Sequence, residues 1–187
     1  PTLIVNSAND AKVVFGISAS NANPIFQFDV LSGRKDNAVA NTIVNKMKSL
    51  SDPRIPVYFK PVSNGSLAGQ FLGNIPGDDN DDSGENLITR TGAAYASTYS
   101  PVILIRAAEV NFIKAEIYFR ASDATNAENS YKNAITADLT SLGLASSAVT
   151  YLANPLVAYN NRLQRIVGQK WITMFQGPYE SCVDWRR

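Results

Sequence analysis

The chain has 187 residues, 45% hydrophobic and 18% charged, which is ordinary for a globular protein and enough for one compact unit or about one and a half domains. Its 17 Lys and Arg against 16 Asp and Glu leave a net charge of +1; that excludes the basic footprint phosphate-backbone binding requires, so nucleic acid is not an expected partner. Histidine is absent and Cys182 is the one cysteine, which excludes Ser-His-Asp and Cys-His catalysis, histidine or cysteine-cluster zinc sites and an internal disulfide.

The opening Pro1-Thr2-Leu3-Ile4-Val5 lacks the basic and apolar regions of a secretory signal, and no apolar run approaches the roughly 18 residues of a membrane span. Residues 1–100 are rich in Asn, Ser, Gly and Pro and read as loops with a helix or two and short strands. Val39, Ile43, Val44, Met47 and Leu50 recur at helical spacing, which predicts a surface helix over Asp36 to Leu50. In Asp52-Pro53-Arg54-Ile55-Pro56-Val57-Tyr58-Phe59 two prolines bracket Arg54, and the β-branched and aromatic residues after them predict a short strand behind a turn. Ser63 to Tyr99 is punctuated by Gly65, Gly69, Gly73, Gly77, Gly84 and Gly92 and carries the acidic run Asp78-Asp79-Asn80-Asp81-Asp82. A loop of that length is expected to carry function.

From Pro101 the pattern turns helical. Val102 to Ala121 is apolar almost all round, broken by Arg106, Glu109, Asn111, Lys114, Glu116 and Arg120, and is expected to be a largely buried helix. Asn126 is the expected N-cap of a second helix, Ala127 to Leu142, with Tyr131, Ala134, Ile135, Leu139 and Leu142 as its buried stripe and Gly143 at its stop. The two make an antiparallel hairpin. A later helix carries Leu163, Ile166, Val167, Trp171, Met174 and Phe175 on one side, halts at Gly177-Pro178, and is followed by a charged turn, Glu180 to Arg187. Trp171 and Trp185 are assigned to the core, and Cys182 to an inert, packed position.

Three of these stretches, Asp52 to Phe59, Arg106-Ala107-Ala108-Glu109-Val110 with Ala115-Glu116, and Gln169-Lys170-Trp171 with Glu180 to Arg187, stand in an order and spacing that resembles the SusD/RagB family of outer-membrane nutrient-binding lipoproteins. The resemblance implies a mainly α fold, a SusD-like helical scaffold with tetratricopeptide-repeat-like helix pairs and long irregular loops. No second copy of the helix pair recurs at a fixed period in the chain. The 187 residues would form a single partial domain, loop-rich over 1–100 and helical over 101–187, with the family domain continuing beyond both ends. The resemblance also implies a surface-exposed lipoprotein of the outer membrane, its lipid anchor lying upstream of Pro1. Such a protein binds oligosaccharide or another nutrient, partners a SusC-like TonB-dependent transporter, and uses no cofactor and performs no chemistry.

A sugar-binding family invites comparison with a hydrolase, which needs two carboxyls about 5–10 Å apart. Glu109 with Glu116, or Glu180 with Asp184, could supply them. Each group has a cation at helical spacing, however: Arg106 for Glu109, Arg120 for Glu116 and Arg187 for Asp184, so ion pairs within the scaffold are expected instead. The acidic run is not an EF-hand, because Ser83 stands in place of the sharp-turn glycine and Glu85 comes too early for the distal ligand. A looser calcium site stays open beside a solvated acidic loop. Sugar rings stack on flat side chains while Asn, Asp and Arg bond their hydroxyls. Phe71, Asn86, Arg90, Tyr95 and Tyr99, all in the glycine-rich stretch, are therefore the expected ligand contacts. A soluble helical-repeat adaptor that binds proteins or peptides in a groove is the alternative from a different class.

Overall fold

The computed structural model describes residues 4, 6–34, 37–77 and 88–186, without the side chains of Pro178, Tyr179 and Trp185. Asn86, the run Asp78 to Asp82 and Arg187 thus lie outside the described residues, as does the Trp185 ring. The fold is mainly α. In chain order come β1 (Ala11–Val13), α1 (Pro24–Phe26) with a π-helical turn (Gln27–Leu31), α2 (Asn41–Ser49), α3 (Ile55–Tyr58), β2 (Phe59–Lys60), β3 (Arg90–Thr91) and α4 (Ala93–Ala96). Then follow β4 (Val102–Ile105), α5 (Ala107–Arg120), α6 (Ala124–Ser141), α7 (Ala148–Ala153), α8 (Leu163–Thr173) and α9 (Pro178–Trp185). The chain divides into two compact units, Val13–Val102 and Pro1–Lys12 with Ile103–Arg187.

In the loop-rich unit α2 buries Ile43, Val44 and Met47, the stripe its spacing predicts. It ends where Ser51 takes φ 51 and the backbone N–H groups of Ser51 and Asp52 reach back to Lys48 and Met47, both at 3.0 Å. That reversal closes the free carbonyls of the last turn. It also delivers Asp52 to Arg54: the guanidinium donates from Nε to Oδ1 at 2.8 Å and from Nη2 to Oδ2 at 2.6 Å, and both side chains are 0% exposed. The strand expected over Ile55 to Phe59 is instead a helical turn that becomes extended only at Phe59. Pro56 sits in its first turn, where a missing N–H costs nothing, and the Tyr58 N–H bonds the Arg54 carbonyl at 2.8 Å, so local turn chemistry outweighs the β-propensity of Val57 and Tyr58. Tyr58 packs edge-on against Tyr95 with ring centres 5.1 Å apart.

The helical unit is built on the α5–α6 hairpin. Ala107, Ala115, Ala127 and Ala134 are fully buried; their small side chains let the two helices approach closely, while Phe112, Tyr131, Ile135 and Leu139 fill the seam. Each such large side chain contributes about 1.5–3 kcal/mol of burial. The helix expected from Val102 begins only at Ala107. Val102-Ile103-Leu104-Ile105 is a strand that pairs with β1, Arg106 is still extended (φ −105, ψ 143), and the Asp10 carboxylate accepts the Ala107 N–H at 2.7 Å. One face of α5 is buried rather than all of it, since Ile113, Ile117 and Tyr118 are exposed. The N-cap of α6 is Asp123, which accepts the Asn126 N–H at 3.1 Å; Asn126, expected in that role, is the donor. Gly143 adopts φ 75 just beyond the helix and Leu144 N–H closes on Leu139 O at 2.8 Å, as its position predicts.

The buried charges of this unit pair differently from their spacing in sequence. Arg106 faces Asp138 at 3.8 Å, not Glu109, and Asp138 also accepts the Thr173 hydroxyl at 3.0 Å. Lys170 of α8 holds Asp184 of α9 at 2.7 Å, and the charge of that same lysine attracts the Glu109 carboxylate. Glu116 keeps its expected partner, Arg120, at 2.8 Å, and the pair expected between Asp184 and Arg187 lies outside the described residues. Asp184 faces inward on α9 to Lys170, whereas Cys182 and Val183 are exposed; the cysteine is a free surface thiol and not packed as expected. Trp171, assigned to the core, is half-buried, whereas Gln169, Lys170, Ile172 and Thr173 are buried.

Candidate functional site

Within the loop-rich unit three segments meet side by side. Phe59 pairs with Thr91 and Lys60 with Arg90 in the antiparallel β2–β3 ladder. Beyond Lys60 the chain is joined by residues 69–70, through Val62 N–H to Gln70 O at 2.8 Å and Gly69 N–H to Val62 O at 2.9 Å. Leu72 donates to the Thr89 hydroxyl at 2.7 Å and accepts from the Thr89 N–H at 2.7 Å. Phe71 is therefore held between two anchored neighbours, half-buried, with its carbonyl taken by Lys48 Nζ at 3.3 Å.

Two glycines allow this close assembly. A Cβ on Gly73 would lie 2.3 Å from Asn41 Cα, and one on Gly92 would lie 2.5 Å from Val57 O. Neither position has room for a side chain. At the open end the Arg90 guanidinium donates to the Asn37 carbonyl, and the Asn37 side-chain amide donates to Asp29 Oδ1 at 2.7 Å. Asp29 lies on the π-helical turn, where Arg34 stacks 4.9 Å over the Phe28 ring. Polar donors and acceptors and an aromatic thus stand together on loops fixed by backbone pairing, an arrangement suited to hydroxyl-rich ligands.

Of the expected contacts, Phe71 and Arg90 come together at this ribbon. Tyr99 is 66% exposed on the turn whose flanking carbonyls, of Thr98 and Ser100, both accept from Asn23 at 2.7 Å. Tyr95 is 6% exposed, on α4 and against Tyr58, so its ring belongs to the core of the unit in this structure. Asn86 lies outside the described residues. Sequence reasoning did not select Lys48, Lys60, Asn37 or Asp29; these are brought in by pairing across distant segments, for which no local pattern exists. Of the carboxylates offered to a hydrolase, Glu116 is held by Arg120 and Asp184 by Lys170. Among the described residues no group of acidic or thiol side chains is arranged to hold a metal ion, and no helix is long and apolar enough to cross a membrane.

A hairpin of packed helices, joined in sequence to a loop-rich unit with a backbone-paired ribbon, defines a mainly helical scaffold with irregular loops. The chain belongs to the SusD-like family described as "Starch-binding associating with outer membrane", which it matches over residues 2–187. It is similar to a SusD homologue from Bacteroides fragilis, with a TM-score of 0.82 at 19% identity, covering 99% of this chain and 46% of that one. A SusD homologue from Bacteroides thetaiotaomicron gives a TM-score of 0.76 at 24% identity over 99% of this chain and 44% of its own. A chitin-binding protein gives 0.78 at 20% identity, with 97% and 43% covered. The chain thus spans less than half the length of these solved relatives. No curated protein matches it in sequence.

Proposed function

We propose that the protein captures oligosaccharide at the outer-membrane surface and delivers it to a SusC-like TonB-dependent transporter. On this reading it is a surface-exposed lipoprotein attached through a lipid anchor outside the chain, and the two units are parts of one family domain. The observation that carries the proposal is the family match over residues 2–187, together with a ribbon whose backbone-paired segments carry Phe71 and Arg90. The family's description names starch and one structural relative is chitin-binding, which selects the first probes.

Calorimetry of the full-length protein against a glycan panel that includes maltoheptaose and chitohexaose should show saturable binding. Phe71→Ala and Tyr99→Ala should each weaken it by roughly tenfold, about the worth of one stacking contact, with the melting temperature unchanged. A peptide-binding adaptor is the second reading, favoured by the exposed Ile113 and Ile117 on α5. No affinity for any glycan, together with tight binding of a helical peptide lost in Ile117→Asp, would replace the first reading by the second.

A further inference from the structure

We infer that Asn64-Gly65 is a self-modifying site, at which the asparagine side chain converts through a cyclic imide to a carboxylate, in part with the backbone rerouted as isoaspartate. Ser63-Asn64-Gly65-Ser66 holds the one Asn-Gly pair of the sequence. Glycine has no Cβ to shield its own peptide nitrogen, so that nitrogen reaches the preceding side chain more readily than the nitrogen of a residue with a side chain. The pair lies at the tip of a loop closed at its base by Val62 N–H to Gln70 O and Gly69 N–H to Val62 O, and residues 63–70 are all exposed. Gly65 opens the single turn Gly65–Leu67, whose hydrogen bond runs from Ala68 N–H to Gly65 O, so the Gly65 N–H lies outside the turn's own bonding.

Other asparagines show what restrains this reaction. Asn6, ahead of Ser7, accepts the Ala8 N–H at 3.0 Å, and Asn23 accepts from Ile25 and Phe26 at 2.8 and 3.2 Å. Asn129, ahead of Ser130, lies within α6, where the helix holds each peptide nitrogen in its backbone ladder. Asn64 stands before its turn as Asn6 and Asn23 stand before theirs, yet its side chain makes no capping bond. At ψ 168 it is extended, and rotation about its Cα–C bond brings the Gly65 nitrogen onto Cγ. The new C–N bond closes a five-membered imide, the bond from Cγ to the side-chain nitrogen breaks, and that nitrogen leaves as ammonia with the Gly65 proton. Water then opens the ring. Attack at Cγ gives aspartate, whereas attack at the backbone carbonyl leaves Gly65 attached through Cγ, an isoaspartate that lengthens the loop ahead of Phe71. Either product lowers the net charge of +1 by one.

The test is peptide mapping by mass spectrometry of the full-length protein held in mildly alkaline buffer, either native or unfolded in guanidinium chloride. In the native protein the peptide carrying Asn64 should convert from amide to acid several-fold faster than those carrying Asn6 and Asn129, and part of the product should be a substrate for protein isoaspartyl methyltransferase. Unfolding should raise the rates at Asn6 and Asn129 but change that at Asn64 little, because an exposed loop tip already behaves as free chain. Gly65→Ala should slow conversion several-fold in both conditions; the unfolded arm removes the strain of alanine at φ 75, so the loss there reports access to the nitrogen alone. Asn64 that stays intact in the native protein and converts only when unfolded, faster conversion at Asn6 or Asn129, product without isoaspartate, or a Gly65→Ala rate equal to wild type each overturns the site.

Discussion

The two units bury charge in opposite ways. In the loop-rich unit a buried ion pair is closed within one turn: Asp52 and Arg54 lie two residues apart, both 0% exposed, and the pair fixes the turn between α2 and α3. In the helical unit the buried charges join segments far apart in sequence. Asp10 caps α5, Arg106 reaches Asp138 on α6, Asp138 accepts from Thr173 on α8, and Lys170 on α8 holds Asp184 on α9. A local pair fixes chain direction, whereas a distributed set fixes which helices are neighbours. Asp52, Arg54, Arg106, Glu109, Lys170 and Asp184 all fall in the three stretches that resemble the SusD/RagB family, whereas Asp10 and Asp138 lie outside them.

The sharpest break of this comparison is Arg54→Ala. It leaves Asp52 buried without its cation, and removing one partner of such a pair costs about 3–5 kcal/mol. Urea unfolding should show that loss. A loss below about 1 kcal/mol would mean that backbone reversal at Ser51, rather than the ion pair, fixes the turn. Lys170→Met is the matching change in the helical unit, with a smaller expected cost of about 2–3 kcal/mol because the lysine and Asp184 keep slight access to water. Its distinctive effect is positional. Amide exchange in α9 should rise far more than in α6, since Lys170 ties α9 down while α6 retains its seam against α5. Uniform acceleration across both helices would sink the idea that distributed pairs define neighbours.

The helices were legible where one apolar stripe recurs: α2 falls inside Asp36 to Leu50, and α6 buries Tyr131, Ala134, Ile135 and Leu139 as its spacing predicts. Boundaries failed where two signals overlap. Val102-Ile103-Leu104-Ile105 is as apolar as the helix it precedes, and only pairing with β1 and the Asp10 cap separate strand from helix. At Ile55 to Tyr58, composition suggested extension and the Asp52–Arg54 turn imposed a helical one. Phe71 and Arg90 were legible as aromatic and polar residues in a glycine-rich stretch. Lys60 and Asn37 were not, because the first meets Arg90 through ladder register and the second through a contact 53 residues distant in sequence.

The smallest effect expected is the most diagnostic of the helical unit, and it concerns Glu109. Burial raises the pKa of this carboxyl above its ordinary 4.5; the charges of Glu180 and Asp184 push the same way, against the attraction of Lys170 and a backbone hydrogen bond at Arg106. The folded protein therefore binds more protons than the unfolded chain between pH 4.5 and the raised folded value. Stability contributed by this group consequently rises as pH falls through that window, the reverse of a carboxylate held by a strong ion pair. Glu109→Gln keeps the shape and removes the titration, so it should be slightly more stable than wild type at neutral pH. That advantage should vanish below about pH 4.5, where both side chains are neutral. Combining it with Lys170→Met is the sharper test: without the lysine only the backbone hydrogen bond at Arg106 opposes the upward shift of Glu109, so the advantage of the glutamine should grow and persist over a wider pH range. If thermal melts from pH 4 to 8 give the same Glu109→Gln difference with and without Lys170, Lys170 does not couple Glu109 to α9, and the distributed set reduces to independent pairs.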